Sequence, residues 1–293
     1  MKDYFNYNGK VCVVTGVSSG MGKATVEVLC ELGAKVFALD LNPCTVQGIE
    51  KFIQCDLSKK EMIDEAMKEI PEHIDSFFGV AGLSGSKTDY RTTFNCNFTA
   101  NKYISEKYLE NRMTSGGSIL FVSSTAGLHW KTYKKEQNKV VHASSWEEVN
   151  KLIDPLVKKS PATFAYIYSK RCISQYSAEL AVKLGKKGIR VNNVMPGSTN
   201  TGMKDEFEKM AGGAEALLKE AGLANRLARS EEMAYPMVFL NSDMASFISG
   251  IDLCVDYADN TLKELKLKKD VEKVPATNGL ILLIAKKMMA KKK

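Results

Sequence analysis

The chain has 293 residues and is 44% hydrophobic, enough to bury a sizeable core and too apolar for a disordered polymer. Its net charge of +7 is located rather than general: residues 262–293 carry ten lysines against Glu264, Asp270 and Glu272, so the body is neutral and gives no support to a nucleic-acid face. Seven scattered cysteines without a C-x-x-C spacing argue against a disulfide framework and a zinc site, and fit a reducing cytoplasm.

The opening "MKDYFNYNGK" lacks the apolar core of a signal peptide, and the first apolar run, "KVCVVTG" (10–16), reads as a strand. A helical pattern from Met21 to Leu32 follows, then strands at 34–40 and 50–56 and a helical "KKEMIDEAMKEI" at 59–70. Next come a strand at 74–82, a helical segment near 93–112, a strand at 117–124, a helix around Tyr166 to Leu184, and strands at 188–197 and 250–256. Short apolar strands interleaved with helices predict a doubly wound α/β fold of Rossmann type, a parallel sheet covered on both faces. No repeat or linker divides the chain, so one domain is expected over 1–257, followed by a basic tail over 258–293.

"TGVSSGMG" (15–22) lies where the first strand turns into the first helix. Gly16, Gly20 and Gly22 strip side chains from a tight turn, so that backbone N–H groups and a helix N-terminus can approach a pyrophosphate. The spacing is G-x-x-x-G-x-G, and an ordinary strand-to-helix turn is the alternative. Asp40 closes the second strand, near the distance expected of an acid that accepts from the adenosine ribose hydroxyls. A 2′-phosphate there would meet like charge, and neither Ser19, Leu41 nor Asn42 offers a cation, so NAD(H) is expected over NADP(H). Asp56 at the end of the third strand could hold an adenine amino group, and Gly82 could let a cofactor pack on backbone; each could also be strand-end turn chemistry.

Tyr166 and Lys170 are four apart in "TFAYIYSKRC", and on a helix they share a face. Tyr103 and Lys107 have the same spacing, so spacing alone does not choose between the pairs.

The ordered set of Thr15-Gly16-Val17-Ser18-Ser19-Gly20-Met21-Gly22, Asp40, Asp56, "GVAG" at 79–82, Asn97, Ser124, Tyr166 with Lys170, and Pro196-Gly197 before Thr199 and Thr201 resembles the short-chain dehydrogenase/reductase family from about residue 9 to 257. That resemblance resolves the two pairs, since the family's tyrosine follows the serine that ends the fifth strand; Tyr103 precedes Ser124, and its pair reads as a solvated helix face. It implies hydride transfer between an alcohol and a carbonyl, with Ser124 donating a hydrogen bond to the reacting oxygen and Tyr166 moving the proton. A phenol titrates near pH 10 when free, so Lys170 is needed to favour phenolate. Lys170 would also hold the nicotinamide ribose, and Asn97 would anchor a water. Cofactor contacts are implied for Gly16, Ser18, Ser19, Gly20, Met21, Asp40, Asp56, Leu57, Gly82, Tyr166, Lys170, Thr199 and Thr201, with no metal. One departure is Gly79 or Val80, where the family commonly has Asn.

Ser124 and Tyr166 are separated by an insertion at about 128–164, expected to pack over the site mouth, and the stretch between Asp40 and Asp56 is too short for the usual helix. Both features resemble the bacterial 3α-hydroxysteroid dehydrogenase/carbonyl reductase subgroup. This implies a rigid apolar substrate such as a steroid or bile acid and a homodimer or homotetramer, with another small alcohol or sugar, or NAD sensing without chemistry, as alternatives. Residues 198–228, with Met203, Phe207, Met210 and Leu217 at helical spacing, read as a mobile lid or as plain helix packing. The apolar run from Gly279 to Ala285 is too short to span a bilayer; it could dock on the body or lie on an anionic membrane surface.

Overall fold

In a computed structural model of the chain, residues 3–270 and Lys273, Pro275 and Thr277 are described. Seven parallel strands form one sheet: β1 (Val11–Thr15), β2 (Lys35–Asp40), β3 (Lys51–Gln54), β4 (Ser76–Gly79), β5 (Ser118–Val122), β6 (Arg190–Pro196) and β7 (Asp252–Val255), in the spatial order β3-β2-β1-β4-β5-β6-β7. The strands are nearly continuous apolar runs because both faces are covered; Val13 and Val14 on β1 point to opposite sides and both are fully buried. Each such side chain contributes about 1.5–3 kcal/mol of burial.

The helices are α1 (Gly20–Glu31), α2 (Lys60–Lys68), α3 (Tyr90–Phe94), α4 (Ala100–Ile104), α5 (Glu110–Arg112), α6 (Lys134–Val141), α7 (Trp146–Val157), α8 (Ala162–Gly185), α9 (Lys204–Ala211), α10 (Ala214–Lys219), α11 (Ser230–Asn241) and α12 (Asp259–Glu264). Two π-helical turns, Asn95–Thr99 and Ser105–Leu109, join α3, α4 and α5 into one rod. No helix lies between β2 and β3, as the short spacing there predicts. Among the described residues no helix is long and apolar enough to cross a membrane. The apolar and lysine-rich stretch after Asn278, read as a docking or membrane-surface segment, lies outside the described residues.

One core packs α2, the α3–α5 rod and α8 on one face of the sheet, and the other packs α1 and α11 on the opposite face. Since β1 pairs with both β2 and β4, the strand order reverses between them and a crevice opens at their carboxyl ends.

Two expectations are corrected. The insertion helices α6 and α7 do not roof the site. Trp146 packs edge-on to Tyr103 at 5.8 Å, Lys60 pairs with Glu147 at 3.3 Å, Arg91 binds Asn150 and Asp154, and Val149 and Ile153 join the core on the α3 and α8 side. Apolar residues at helical spacing say that α7 buries a face, but not which face of the body receives it. The Tyr103–Lys107 pair is also more than a solvated face. Lys107 donates to Tyr103 Oη (2.7 Å) and Asp64 (2.8 Å), and Tyr103 donates to the same carboxylate (2.7 Å), clasping the rod to α2. Burial, aided by Asp64, pushes the Tyr103 phenol up to about 12.

Candidate active site

The phosphate loop leaves β1 at Gly16, whose φ of 77° favours glycine and where a Cβ would stand 2.6 Å from Ala81 Cα. At Gly22 a Cβ would come within 2.0 Å of Gly16 O, so the first turn of α1 closes tightly on the loop. Ser19 occupies the N-cap of α1 without spending its hydroxyl there, and Met21 packs its side chain against the core while its backbone stays in the first helical turn. The N-terminus of α1 and the bare loop therefore form a cradle for an anion at the mouth of the crevice.

Asp40 ends β2 beside this cradle. One carboxylate oxygen accepts from Ser18 N (2.9 Å) and the other from Asn42 N (2.9 Å), which fixes the group at the loop and leaves further lone pairs. Asp56 accepts from Ser58 N (3.0 Å) and Ser58 Oγ (2.7 Å), with Lys59 Nζ at 3.4 Å. Burial pushes its carboxyl up, but these partners outweigh it and hold the group below the usual carboxylate range. Leu57 sends its side chain into the core, so only its backbone can face a ligand. Thr201 lies across the loop from Gly20, where a Cβ would be 3.1 Å from the Thr201 Cβ; Thr199 Oγ1 donates to Gly197 O (3.0 Å).

The chemistry-bearing side chains meet at the carboxyl end of β5. Ser124 caps the 3-10 turn Thr125–Trp130, its Oγ accepting from Ala126 N (3.2 Å). The capping role and a donor role are compatible, because an accepting hydroxyl keeps its proton. Lys170, 3% exposed on α8, donates from Nζ to Val122 O (2.8 Å) on the strand that leads to Ser124. Burial pushes its ammonium down to about 8. The same Nζ stands 5.5 Å from the centre of the Tyr166 ring. Tyr166 is half-buried and meets the Phe207 ring edge-on at 5.4 Å.

Asn97 sits in the first π-helical turn, where its amide is spent on the loop after β4: Oδ1 accepts from Leu83 N (2.8 Å), and Nδ2 donates to Leu83 O (3.0 Å) and Ser169 Oγ (3.1 Å). Ser169 in turn donates to Tyr166 O (2.8 Å), which ties that loop to α8. A Cβ on Gly82 would lie 3.5 Å from Asn97 Oδ1 and 3.6 Å from Lys170 Nζ, so this glycine keeps a bare patch between them. Expected residues from four separate regions are thus brought to one crevice. Two contributors escape a reading of the sequence. Ser123, fully buried, donates to Lys170 O (2.9 Å) and bonds Ser174 Oγ (2.8 Å), locking β5 to α8. Glu206 accepts from Ser84 and from Ser86 (2.7 Å) and pairs with Lys87 (2.9 Å), pinning α9 to the loop after β4. No local pattern marks either one, since their partners lie far off in the chain.

Two family models match the chain: short chain dehydrogenase over residues 10–144 and enoyl-(acyl carrier protein) reductase over residues 155–257. Coniferyl-alcohol dehydrogenase from a Pseudomonas species is 34% identical over 253 residues, spanning 84% of this chain and 95% of that protein. (+)-Borneol dehydrogenase 1 from Salvia officinalis is 27% identical over 259 residues, spanning 85% and 92%. The solved 3-alpha-hydroxysteroid dehydrogenase from Pseudomonas sp., complexed with NADH, shares the fold with a TM-score of 0.72 at 20% identity, over 89% of this chain and all of that one.

Proposed function

Because this chain belongs to the short-chain dehydrogenase/reductase family and is an oxidoreductase, we propose that it interconverts a secondary alcohol and a ketone with NAD(H). The observation that carries the reading is a buried Lys170 ammonium held on Val122 O beside the Tyr166 ring, at the end of the strand that delivers Ser124. NAD, when bound, supplies or accepts the hydride. Ser124 donates to the reacting oxygen as negative charge builds on it, and Tyr166 gives that oxygen a proton in reduction or takes one in oxidation. Lys170 makes this feasible near neutrality by favouring phenolate over phenol. Asn97, through Leu83 and Ser169, positions the wall opposite.

The cradle at Gly16 and Gly22 fits a dinucleotide pyrophosphate, with Ser18, Ser19, Gly20, Met21, Thr199 and Thr201 around it and Asp56 and Leu57 on the adenine side, whereas Gly82, expected on the adenine side, lies next to Lys170 Nζ and so belongs toward the reacting end. Asp40, anchored by two backbone N–H groups, accepts ribose hydroxyls and repels a 2′-phosphate, which supports NAD(H). The Phe207 edge over Tyr166 supports a substrate with an apolar body, and the long insertion with the short β2–β3 connection supports a hydroxysteroid or bile acid. A second reading, a flat aryl alcohol, is favoured by the 34% identity to coniferyl-alcohol dehydrogenase. The reading includes a cytoplasmic homodimer or homotetramer with no nucleic-acid partner.

The test is the near-ultraviolet absorbance of reduced nicotinamide, with NAD+ or NADP+ offered against hydroxysteroids differing in hydroxyl position, aryl alcohols, simple alcohols and sugars. NAD+-dependent turnover of one class, lost by about a thousandfold or more in Tyr166→Phe while NADH still binds, is the expected result. Tyr166→Phe as active as the unsubstituted protein would remove the proton-transfer assignment, and turnover confined to sugars would remove the apolar substrate.

A further inference from the structure

The family-model match stops at residue 257, yet the chain beyond it is folded onto both walls of the crevice. It leaves β7 through two consecutive non-glycine residues in the left-handed region, Tyr257 (φ 48°) and Ala258 (φ 70°). Such a conformation persists where the surroundings over-determine it, and here Tyr257 O accepts from Leu223 N (3.0 Å) on the return of the lid. Asp259, 2% exposed, then pairs with Lys263 (2.7 Å) and with Lys268. Lys268 Nζ goes on to donate to Lys219 O (2.7 Å) and Glu220 Oε2 (3.0 Å), at the end of α10. Two residues later Asp270 meets His129 Nε2 at 2.8 Å, in the 3-10 turn that Ser124 begins.

The lid itself has little to fix it. α9 has no buried residue, and it joins α10 through Gly212 and Gly213, both at positive φ with open space where a Cβ would be. Its placement depends on Glu206 at one end and, at the other, on the holds on α10, which are the buried Leu217, Ser198 Oγ donating to Glu220 O (3.1 Å), Lys263 Nζ at 3.7 Å from Glu220 Oε2, and Lys268. We propose that Lys268 is a positioning residue for the substrate: by gripping Lys219 O and Glu220 it fixes the far end of the lid, and so the seat of Phe207 against Tyr166. The proposal rests on the reading of the Tyr166 face as the substrate site. The ionic build suits the task, because Asp259 keeps Lys263 when Lys268 is removed and no buried carboxylate is orphaned.

The experiment uses the full chain with Lys268→Ala and Lys268→Arg, and Glu220→Gln as the approach from the lid side should Lys268→Ala fold poorly. Two readouts are taken: trypsin nicking at the exposed Lys209 of α9, followed by mass spectrometry without substrate or cofactor, and KM, kcat and NADH affinity. Lys268→Ala is expected to be nicked about tenfold faster and to raise the substrate KM about tenfold, as loss of a charge-assisted contact would, with NADH affinity unchanged. Lys268→Arg should restore both. Equal nicking in Lys268→Ala and the unsubstituted protein overturns the lid contact, and faster nicking with an unchanged KM overturns the role in substrate positioning. If the unsubstituted protein turns over no alcohol, the functional reading fails by itself, and the nicking rates still decide whether Lys268 holds the lid.

Discussion

Lys170→Met should make the protein more stable and nearly inactive at neutral pH, and the gain in stability should vanish in alkali. Lys170 is 3% exposed, and burial holds its ammonium down from 10.5 to about 8. That gap corresponds to about 3 kcal/mol against the charged form in the fold, at about 1.4 kcal/mol per tenfold change in proton affinity. Methionine fills a similar volume without the charge. It leaves Val122 O without the donor now at 2.8 Å, a loss of about 1 kcal/mol, so the net gain near pH 7 is about 2 kcal/mol. The sign with pH follows from proton counting. Below pH 8 the lysine is charged in folded and unfolded chains alike, and the folded protein bears the full cost. Between 8 and 10.5 the unfolded chain binds more protons than the folded one, so stability rises with pH and the cost fades.

The advantage of the methionine variant should therefore shrink from about 2 kcal/mol at pH 7 to about zero at pH 10, read as the difference between urea midpoints of the two proteins. Other groups titrate over this range, but they do so in both proteins and cancel. The same variant should lose about 10²- to 10⁴-fold in kcat/KM, because Tyr166 loses the cation that favours its phenolate. A methionine variant less stable at pH 7, or one whose stability difference is the same at both pH values, would refute the argument that burial of Lys170 is a cost carried for catalysis.

Two further outcomes follow from separate regions. Asp40→Ala should weaken NADH binding about tenfold while NADPH binding holds or improves, since a ribose acceptor and a 2′-phosphate repellent disappear together; fluorescence titrations compare them, and a parallel loss for both cofactors would contradict the selectivity argument. Ile153→Ala, at a fully buried site in α7, should cost about 2–5 kcal/mol of stability by urea denaturation with KM and kcat unchanged, whereas a shifted KM would put the insertion back at the site mouth.

The strands and helices were legible because each carries its own period and its own punctuation: the apolar "VCVVT" of β1 and the glycines that follow it are local features. The candidate site was legible in part for the same reason, since Asp40 and Ser124 sit at strand ends and Tyr166 and Lys170 on one helix turn, but the preference for that pair over Tyr103 and Lys107 rests on the family resemblance and not on spacing. What was not legible depends on partners distant in the chain. Glu206 reads as one more acid on an amphipathic helix until Ser84 and Ser86 are seen against it, and Lys268 reads as one lysine of a basic tail until Glu220 is. Tyr103 and Lys107 need Asp64, on another helix, before their spacing acquires a purpose.

The insertion shows how an element away from the site can still govern it. Over the middle of α8 the polar residues Lys170, Arg171, Ser174, Gln175 and Ser177 are all buried, so this stretch has no solvent face to set its rotation, and exposure resumes only near the C-terminal end at Val182 and Lys183. On the sheet side, Lys170 and Ser174 hold β5. On the other side the insertion takes the place of water: Tyr168 Oη donates to Glu136 O (2.9 Å), Gln175 donates to Asn138 Oδ1 (2.7 Å), and the Arg171 guanidinium lies over the Tyr133 ring at 4.8 Å. Sliding α8 by one residue turns it about 100°, which would break both sets of bonds at once and strand several buried polar groups. The register that places Tyr166 and Lys170 on one face, against Ser124, is thus enforced from two sides. The segment expected to close over the substrate packs instead behind α8, and in the proposed reading it is the lid, with Lys268 at its far end, that meets the substrate.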